Sequence, residues 1–312
     1  MLTLIDADGR AHEVVAKDVG LCWGDVCVPQ AGPDDLEAWA ERAGYVLARD
    51  AGEEESVVAI APSAETHRRA DDGRAPSLTL PDVDGDPVSF DDLSGSKRVL
   101  VTWASWCGCR HELGGWQRLQ DELAGAGLRL FSVALDADPE HARPWIEAAS
   151  PTYPVAVDTA HVTAERYGIT NVPSVVWVDE HDRIVKPPTI APGDDQFVEF
   201  TRIGADQHHD LLRAWVRDGV LPKSAGADGP RRTDDEQRAL AHRRIAAHHQ
   251  RAGRGDRALA QLARAQELAP WDWTVRRGGI AMTGGDPFLG EEFTSFWEEW
   301  DTAGRPGYTP TT

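Results

Sequence analysis

Residues Trp103 to Glu112 read WASWCGCRHE, and this stretch decides how the rest of the chain is interpreted. It contains two cysteines, Cys107 and Cys109, separated by one glycine. The apolar segment 98–103 (RVLVTW) before them is typical of a buried strand, and the spacing of apolar residues over 110–124 predicts a helix. The cysteine pair is therefore expected at the point where a buried strand leads into the start of a helix.

This position has a chemical consequence for Cys107. The free amide groups and the dipole at a helix N-terminus stabilise a thiolate, and the adjacent Arg110 adds a positive charge. We therefore expect the pKa of the Cys107 thiol to lie below the free value of about 8.5. A thiolate of this kind attacks a disulfide, and a second thiol at Cys109 can then release the mixed disulfide.

The sequence around this motif alternates between strand and helix patterns. Such alternation predicts an α/β fold with helices on both faces of a mixed sheet. Strands are expected over 78–80, 87–90, 98–103, 128–135, 155–157, 175–178 and 183–185, and helices over 110–124, 139–149 and 160–167.

Composition limits the classes of function. The 312 residues carry a formal net charge of -20, which argues against nucleic acid or an anionic membrane as the main partner. The first residues, MLTLIDADGR, lack the basic start and apolar core of a secretory signal, so a cytoplasmic location is expected. Four cysteines are too few for a disulfide scaffold in such a chain and suggest reactive or metal-binding thiols.

The order of motifs from residue 75 to about 218 resembles the thioredoxin-like TlpA/ResA family of thiol–disulfide oxidoreductases. The resemblance is carried, in order, by APSLTLPDVDGDPVSFDDLSG, WASWC, SVALDADPEHARPWIEAA, YPVAVD, AERYGI and NVPSVVWVDEHDRIV. It implies a thioredoxin fold, a thiol–disulfide oxidoreductase activity with a possible link to peroxide defence, and no cofactor. The expected substrate is a protein or small-molecule disulfide, and the expected electron donor is a thiol.

The resemblance also assigns roles to residues beside the cysteines. Val172-Pro173 stands at the position of the family's cis proline, which holds the substrate against the site. Trp106 is expected to lie exposed beside the nucleophile as an apolar platform for substrate. These three residues are therefore predicted to bind substrate.

Two departures from the family pattern affect the active site. The family has CxxC, whereas this chain has Cys107-Gly108-Cys109, and WAxxCGC is also similar to thioredoxin-like proteins that carry selenocysteine at the first position. Val101 stands where thioredoxins carry a buried aspartate, so Glu112 is the nearest carboxylate that could transfer a proton. Arg110 and Glu112 are accordingly predicted to tune or protonate the thiols.

The chain is expected to divide into three parts. Residues 1–72 form a small α+β accessory unit with a hairpin over 2–15 and a helix over 34–44, and residues 73–220 form the thioredoxin-like domain. Residues 231–312 form a helical extension in which 239–270 resemble a single tetratricopeptide repeat. Polar stretches over 62–76 and 221–233 are expected to be linkers, and the Pro/Gly/Thr tail is expected to be disordered. A protein partner is conceivable through 231–300.

The remaining candidates are weaker. Cys22 and Cys27 form a C-x4-C pair that either acts as a secondary redox pair, binds metal, or consists of two partly buried thiols, and the last interpretation carries the most weight. His242 and His249 stand at bulky positions of the repeat, so packing is favoured over metal binding, and no metal site is predicted.

Two other functions remain compatible with the sequence. The thioredoxin-like domain could be a redox-inactive docking protein, or the CxC pair could carry a soft metal such as Cu(I) in a metal chaperone.

Overall fold

The computed structural model describes residues 1–29, 32, 35–70, 72–223 and 231–307. The chain divides into two compact units. The first unit contains residues 1–72, 160–165 and 231–285, and the second contains 73–159, 166–230 and 286–312. Within the described ranges, no helix combines the length and the apolar character that crossing a membrane requires.

Strands and helices follow one another in both units. The strands are β1 (Leu2–Ile5), β2 (Ala11–Glu13), β3 (Val15–Lys17), β4 (Gly20–Trp23), β5 (Val26–Pro29), β6 (Tyr45–Asp50), β7 (Ser56–Pro62), β8 (Thr79–Pro81), β9 (Pro87–Ser89), β10 (Lys97–Trp103), β11 (Leu128–Ala134), β12 (Val155–Val157), β13 (Ser174–Val178) and β14 (Ile184–Ile190). The helices are α1 (Leu36–Arg42), α2 (Ala64–Ala70), α3 (Leu113–Leu123), α4 (Pro139–Ala149), α5 (Val162–Tyr167), α6 (Val198–Thr201), α7 (Ala205–Asp218), α8 (Asp234–Arg251), α9 (Gly255–Leu268), α10 (Trp273–Met282) and α11 (Glu291–Thr302).

The second unit contains a five-stranded sheet in the order β12-β11-β10-β13-β14. β10 pairs parallel with β11 and antiparallel with β13, so the sheet is mixed as predicted. Residues 98–103 of β10 are all buried, which explains the apolar run Val99 to Val101, and the polar Arg98 and Thr102 are buried with it. Because β10 is central and ends at Trp103, the residues that follow it emerge in the middle of the sheet edge. The predicted thioredoxin fold is confirmed.

Side-chain contacts stabilise the sheet around this central strand. The indole N–H of Trp103 donates to the hydroxyl of Ser132 at 2.8 Å, and the rings of Phe90 and Phe131 pack edge to face at 5.5 Å. α3 packs on β11 and also contacts α4 and α7. The helix that follows the cysteines is thus held by the sheet and by two other helices.

The first unit is built around a four-stranded sheet in the order β2-β1-β7-β6. The helix α8 lies against β6 and β7, and it buries Ala241 and Ile245 among small apolar residues of the sheet. The helix α9 packs along α8. The inner face of this helical hairpin is therefore covered by the N-terminal sheet, while its relation to the tetratricopeptide repeat stays a prediction.

The connecting and C-terminal segments differ from the expectations in several places. The stretch 62–76 was expected to be a linker, but it contains α2, whose first amide donates to the carboxylate of Asp234 at 2.7 Å. The helix α10 was not predicted, because the apolar residues of 273–282 do not follow a clear helical period. Within 231–312, residues 231–285 belong to the first unit and 286–312 to the second. Residues 224–230 of the predicted second linker, and the tail after 307, lie outside the described residues.

A close backbone approach fixes the segment after β14 to helix α3. A Cβ added at Gly115 would lie 1.9 Å from the carbonyl oxygen of Gly193, a separation that no real Cβ contact has. We therefore expect Gly115→Ala to lower the free energy of unfolding by about 1 to 3 kcal/mol, the usual cost of overpacking. Denaturant unfolding measures the effect.

Gly125→Ala provides the matched control for this prediction. A Cβ at Gly125 would meet no atom within 4 Å, so this variant should unfold at the wild-type denaturant concentration or slightly above it. Equal midpoints for the two variants would contradict the close approach.

Candidate functional site

Cys107 and Cys109 lie directly after the end of β10. Cys107 has extended backbone angles and precedes a short 3₁₀ helix, Gly108–Glu112, which leads into α3. The backbone N–H of Cys109 points at the sulfur of Cys107 at 3.3 Å. The two sulfurs are in contact, and the α-carbons are 5.2 Å apart, within the range of about 4.4 to 6.8 Å that disulfides require.

Both cysteines are nearly enclosed. Cys107 is 6% exposed and Cys109 is 3% exposed. The residue predicted as the nucleophile is therefore largely shielded from solvent.

The loop before β13 brings a second backbone group to the cysteines. The peptide bond Val172-Pro173 is cis, as the resemblance implied. The carbonyl oxygen of Val172 lies 3.6 Å from Cys107 Sγ. The N–H of Val172 donates to the side-chain oxygen of Asn171 at 2.8 Å, so this donor is satisfied within the loop.

Trp106 does not form the exposed platform that the resemblance predicted. Its side chain is 3% exposed, and its indole N–H donates to the carbonyl oxygen of Leu135 at 2.9 Å. The preceding Ser105 donates to the carboxylate of Asp136 from its amide at 2.9 Å and from its hydroxyl at 2.5 Å. These bonds tie the loop after β10 to the residues that follow β11, and Trp106 helps to hold it in place.

Three aromatic residues cover the cysteine loop, and sequence analysis did not identify them. The ring of Phe197 lies against Gly108, since a Cβ added there would be 3.1 Å from its ring atoms. The guanidinium of Arg110 lies between two further rings, 4.3 Å from the centroid of Trp145 and 4.1 Å from that of Phe288. We call Trp145, Phe197 and Phe288 the aromatic cover. Its residues come from α4, the segment after β14 and the loop before α11, so no local sequence signal could have grouped them.

The two basic residues after the cysteines differ in charge. Arg110 donates from Nη1 to the carbonyl oxygen of Ser105 at 2.5 Å. Partial burial lowers the pKa of Arg110, but its ordinary value lies so far above neutrality that the guanidinium keeps its charge. The pKa of His111 is lowered by burial and by the charge of Arg110, so the imidazole is neutral at pH 7. Arg110 is therefore the positive group of this loop at neutral pH.

Glu112 is buried at the end of the same 3₁₀ helix. Its side chain is 2% exposed, and its carboxyl accepts a hydrogen bond from the N–H of Gly193 at 2.9 Å. Burial, with a smaller contribution from the charge of Asp194, raises the pKa of Glu112 to about 8 against the opposing effect of that hydrogen bond. Glu112 therefore holds a proton at neutral pH.

Cys22 and Cys27 form a disulfide in the first unit. They face each other across the hairpin of β4 and β5, and their α-carbons are 4.1 Å apart. Cys22 is buried, Cys27 is exposed and the two are bonded, so the favoured interpretation as two partly buried thiols is wrong. Their use as a secondary redox pair stays a prediction.

The histidines of the helical hairpin lie in hydrogen-bonded packing arrangements. His242 pairs with the side chain of Gln261 at 2.6 Å, and His249 pairs with the carboxylate of Asp50 at 2.6 Å. Over the ranges that the structure describes, no group of three or more His, Cys, Asp or Glu side chains is placed to hold a metal ion.

The raised pKa of Glu112 predicts how stability depends on pH. Between pH 4.5, where an ordinary glutamate ionises, and pH 8, the unfolded chain loses this proton and the folded chain keeps it. The stability that Glu112 contributes is complete below the unfolded pKa and is lost as pH rises to about 8. Glu112→Gln, which retains an acceptor for Gly193, should therefore gain stability relative to the wild type as pH rises from 5 to 8.

Denaturant unfolding of both proteins at several pH values measures this difference. Glu147→Gln, a change at an exposed position of α4, is the control, and its free energy of unfolding should differ from that of the wild type by the same amount at every pH. If the difference for Glu112→Gln is also independent of pH, the burial of a protonated carboxyl is contradicted.

The chain is similar to known proteins over part of its length. Residues 72–186 match the model of the AhpC/TSA family. The chain is 22% identical over 131 residues to the thiol-disulfide oxidoreductase ResA of Halalkalibacterium halodurans, which covers 42% of this chain and 74% of that protein. It is 27% identical over 148 residues to the peroxiredoxin Bcp of Escherichia coli K12, with 46% of this chain and 93% of that protein covered.

A solved structure matches a similar share of this chain. A thiol:disulfide interchange protein of the thioredoxin family from Chlorobium tepidum matches with a TM-score of 0.38 and 20% identity, covering 46% of this chain and 95% of that one. The predicted resemblance to thioredoxin-like oxidoreductases is confirmed, and an oxidoreductase role is supported by these relatives. In its region 72–186, this chain is similar to the AhpC/TSA family of thioredoxin-like proteins.

Proposed function

We propose that the second unit is a thiol–disulfide oxidoreductase in which Cys107 is the nucleophile and Cys109 the resolving thiol. The observation that carries the proposal is the arrangement around Cys107 Sγ. The sulfur of Cys109 is in contact with it, the N–H of Cys109 lies at 3.3 Å, and the carbonyl oxygen of Val172 lies at 3.6 Å. A hydrogen-bond donor aimed at the sulfur favours the thiolate, and the contact lets the two sulfurs exchange a bond.

The reaction proceeds through two exchanges of sulfur bonds. The Cys107 thiolate attacks one sulfur of a substrate disulfide, forms a mixed disulfide and expels the other substrate sulfur as a thiolate. The Cys109 thiolate then attacks Cys107 Sγ and expels the second substrate thiolate, leaving Cys107 and Cys109 oxidised. Two electrons pass to the substrate, and a separate thiol donor returns the pair to its reduced form.

Arg110 and Glu112 support different steps of this reaction. Arg110 provides the positive charge of the loop, which favours the Cys107 thiolate. Glu112 holds a proton at neutral pH and belongs to the same 3₁₀ helix as Cys109. We assign it the role of exchanging a proton with the resolving thiol, in place of the aspartate that Val101 replaces.

Peroxide reduction is a second candidate, favoured by the similarity to the peroxiredoxin Bcp. In that reaction the Cys107 thiolate attacks the terminal oxygen of a hydroperoxide and the O–O bond breaks. The sulfur keeps that oxygen as a sulfenic acid, and the rest of the hydroperoxide leaves as an alcohol or, from hydrogen peroxide, as water. The Cys109 thiol condenses with the sulfenic acid, releases water and forms the same Cys107–Cys109 disulfide. Both reactions therefore use the same two residues.

Single-cysteine variants test the proposed roles. Cys107→Ser should abolish turnover of a disulfide with dithiothreitol as donor, because the attacking sulfur is missing. Cys109→Ser should accumulate a mixed disulfide at Cys107, detectable by mass spectrometry, because the resolving sulfur is missing. Its Cys107 thiol should also alkylate with an apparent pKa below about 8.5.

The matched control is Cys22→Ser combined with Cys27→Ser, which removes the disulfide of the first unit. This control should keep the wild-type turnover. Wild-type turnover in Cys107→Ser would refute the proposal, and copper bound to the purified protein in a fixed ratio without turnover would favour the metal chaperone. Consumption of hydrogen peroxide by the wild type, in the same assay without a disulfide, tests the second candidate.

A further inference from the structure

We propose that the Cys107 site accepts low-molecular-weight disulfides that carry a carboxylate group, rather than disulfides held in a protein chain. The inference rests on the proposed function and specifies its substrate class. Three independent features of the second unit support it. The backbone N–H of Val172 is already hydrogen-bonded, an aromatic ring covers the glycine between the cysteines, and the guanidinium of Arg110 has an available N–H edge.

The first feature concerns main-chain recognition beside Cys107. An extended peptide that docks on a protein is held mainly by hydrogen bonds between backbone groups. The backbone beside Cys107 is that of Val172, whose carbonyl oxygen faces Cys107 Sγ at 3.6 Å. Its N–H is bonded to Asn171 Oδ1 at 2.8 Å, and Asn171 is itself buried. A peptide substrate would have to break this internal bond to pair with Val172, whereas a small disulfide needs no such pairing.

The second feature is the enclosure of the two sulfurs. The ring of Phe197 lies against Gly108, between the two cysteines in sequence, and Cys107 is 6% exposed. Trp106 is buried, so the exposed apolar platform expected beside the nucleophile is absent. The ring of Phe197 covers the glycine between the cysteines, and a narrow substrate displaces less of the aromatic cover than a protein surface does.

The third feature is the position of Arg110. The rings of Trp145 and Phe288 hold its guanidinium, Nη1 donates to the carbonyl oxygen of Ser105, and Nε points to His111 Nε2 at 3.3 Å. No described residue accepts a hydrogen bond from Nη2. The nearby carboxylate of Asp136 is bonded to the amide and hydroxyl of Ser105. A rigid guanidinium with an available N–H edge binds a carboxylate well.

The test uses three disulfides that differ in charge and size. They are 3,3′-dithiodipropionate with two carboxylates, cystamine with two ammonium groups, and insulin with disulfides in a protein. The full chain is reduced, freed of reductant and mixed with each disulfide, and oxidation of the Cys107–Cys109 peptide is followed by acid quench and mass spectrometry. Dithiothreitol, reacted with the same three compounds, provides the intrinsic reactivities.

Relative to dithiothreitol, the wild type should prefer dithiodipropionate over cystamine by about tenfold, the scale of one charge-assisted hydrogen bond. Insulin should react more slowly than both. Ratios between substrates are compared because a change in thiol pKa alters the rates with all three compounds together.

Two pairs of variants assign the effect to residues. Arg110→Gln should bring the dithiodipropionate-to-cystamine ratio back to that of dithiothreitol, whereas Arg118→Gln, an equal charge change on an exposed residue of α3, should retain it. Phe197→Ala should raise the rate with insulin relative to dithiodipropionate by about tenfold, whereas Val198→Ala, next to it in sequence, should not. Asn171→Ala, which frees the Val172 donor, should act in the same direction as Phe197→Ala.

The possible failures can be distinguished. If insulin oxidises the wild type as fast as dithiodipropionate does, or if Arg110→Gln leaves the charge ratio unchanged, the substrate class is wrong while the oxidoreductase assignment stands. If no disulfide reacts in a way that requires Cys107, the proposed function fails and the substrate class fails with it.

Discussion

The site depends on one close contact, the approach of Gly193 to the start of helix α3. A Cβ at Gly115 would overlap the carbonyl oxygen of Gly193, and a Cβ at Gly193 would lie 2.5 Å from the carbonyl oxygen of Glu112. Two glycines are therefore needed where these backbones meet. The contact brings the N–H of Gly193 to the carboxyl of Glu112 and leads the chain to Phe197 four residues later. The proton on Glu112 and the cover over Gly108 are thus consequences of the same packing.

The environment of Cys107 combines opposing effects on its thiolate. Near-complete burial disfavours a charged sulfur, because the protein interior solvates a charge less well than water does. The N–H of Cys109 acts in the opposite direction, and we propose the same effect for the positive charge of Arg110, three residues along the chain. Opening of the aromatic cover by a substrate would admit water and reduce the burial. The reactivity of Cys107 should therefore depend on whether the cover is closed, and not on the loop sequence alone.

The parts of the structure that follow local periodicity could be predicted from the sequence. Helix α4 and strand β12 have the predicted bounds, and strand β10 differs by one residue at its start, since short-range patterns of apolar residues determine these elements. The aromatic cover could not be predicted, because Phe197 reaches Gly108 and Phe288 reaches Arg110 only through the tertiary fold. The chain has a single asparagine, Asn171, which the sequence analysis did not single out, whereas its side chain satisfies the backbone beside Cys107. Trp106 was misplaced because the family resemblance said nothing about its hydrogen bond to Leu135.

The protonation of Glu112 removes a negative charge from an enclosed, poorly hydrated site. A carboxylate at Glu112 would add a negative charge to a poorly hydrated loop, so it would raise the cost of forming the proposed thiolate at Cys107, which directly precedes the same 3₁₀ helix. With its pKa raised to about 8, Glu112 is neutral at pH 7, and the positive charge of the loop is that of Arg110. A carboxyl that is neutral at rest can also supply a proton or take one up when the sulfurs exchange partners. In the proposed mechanism, the burial that Gly193 imposes on Glu112 therefore favours both the thiolate at Cys107 and the proton transfer that follows its attack.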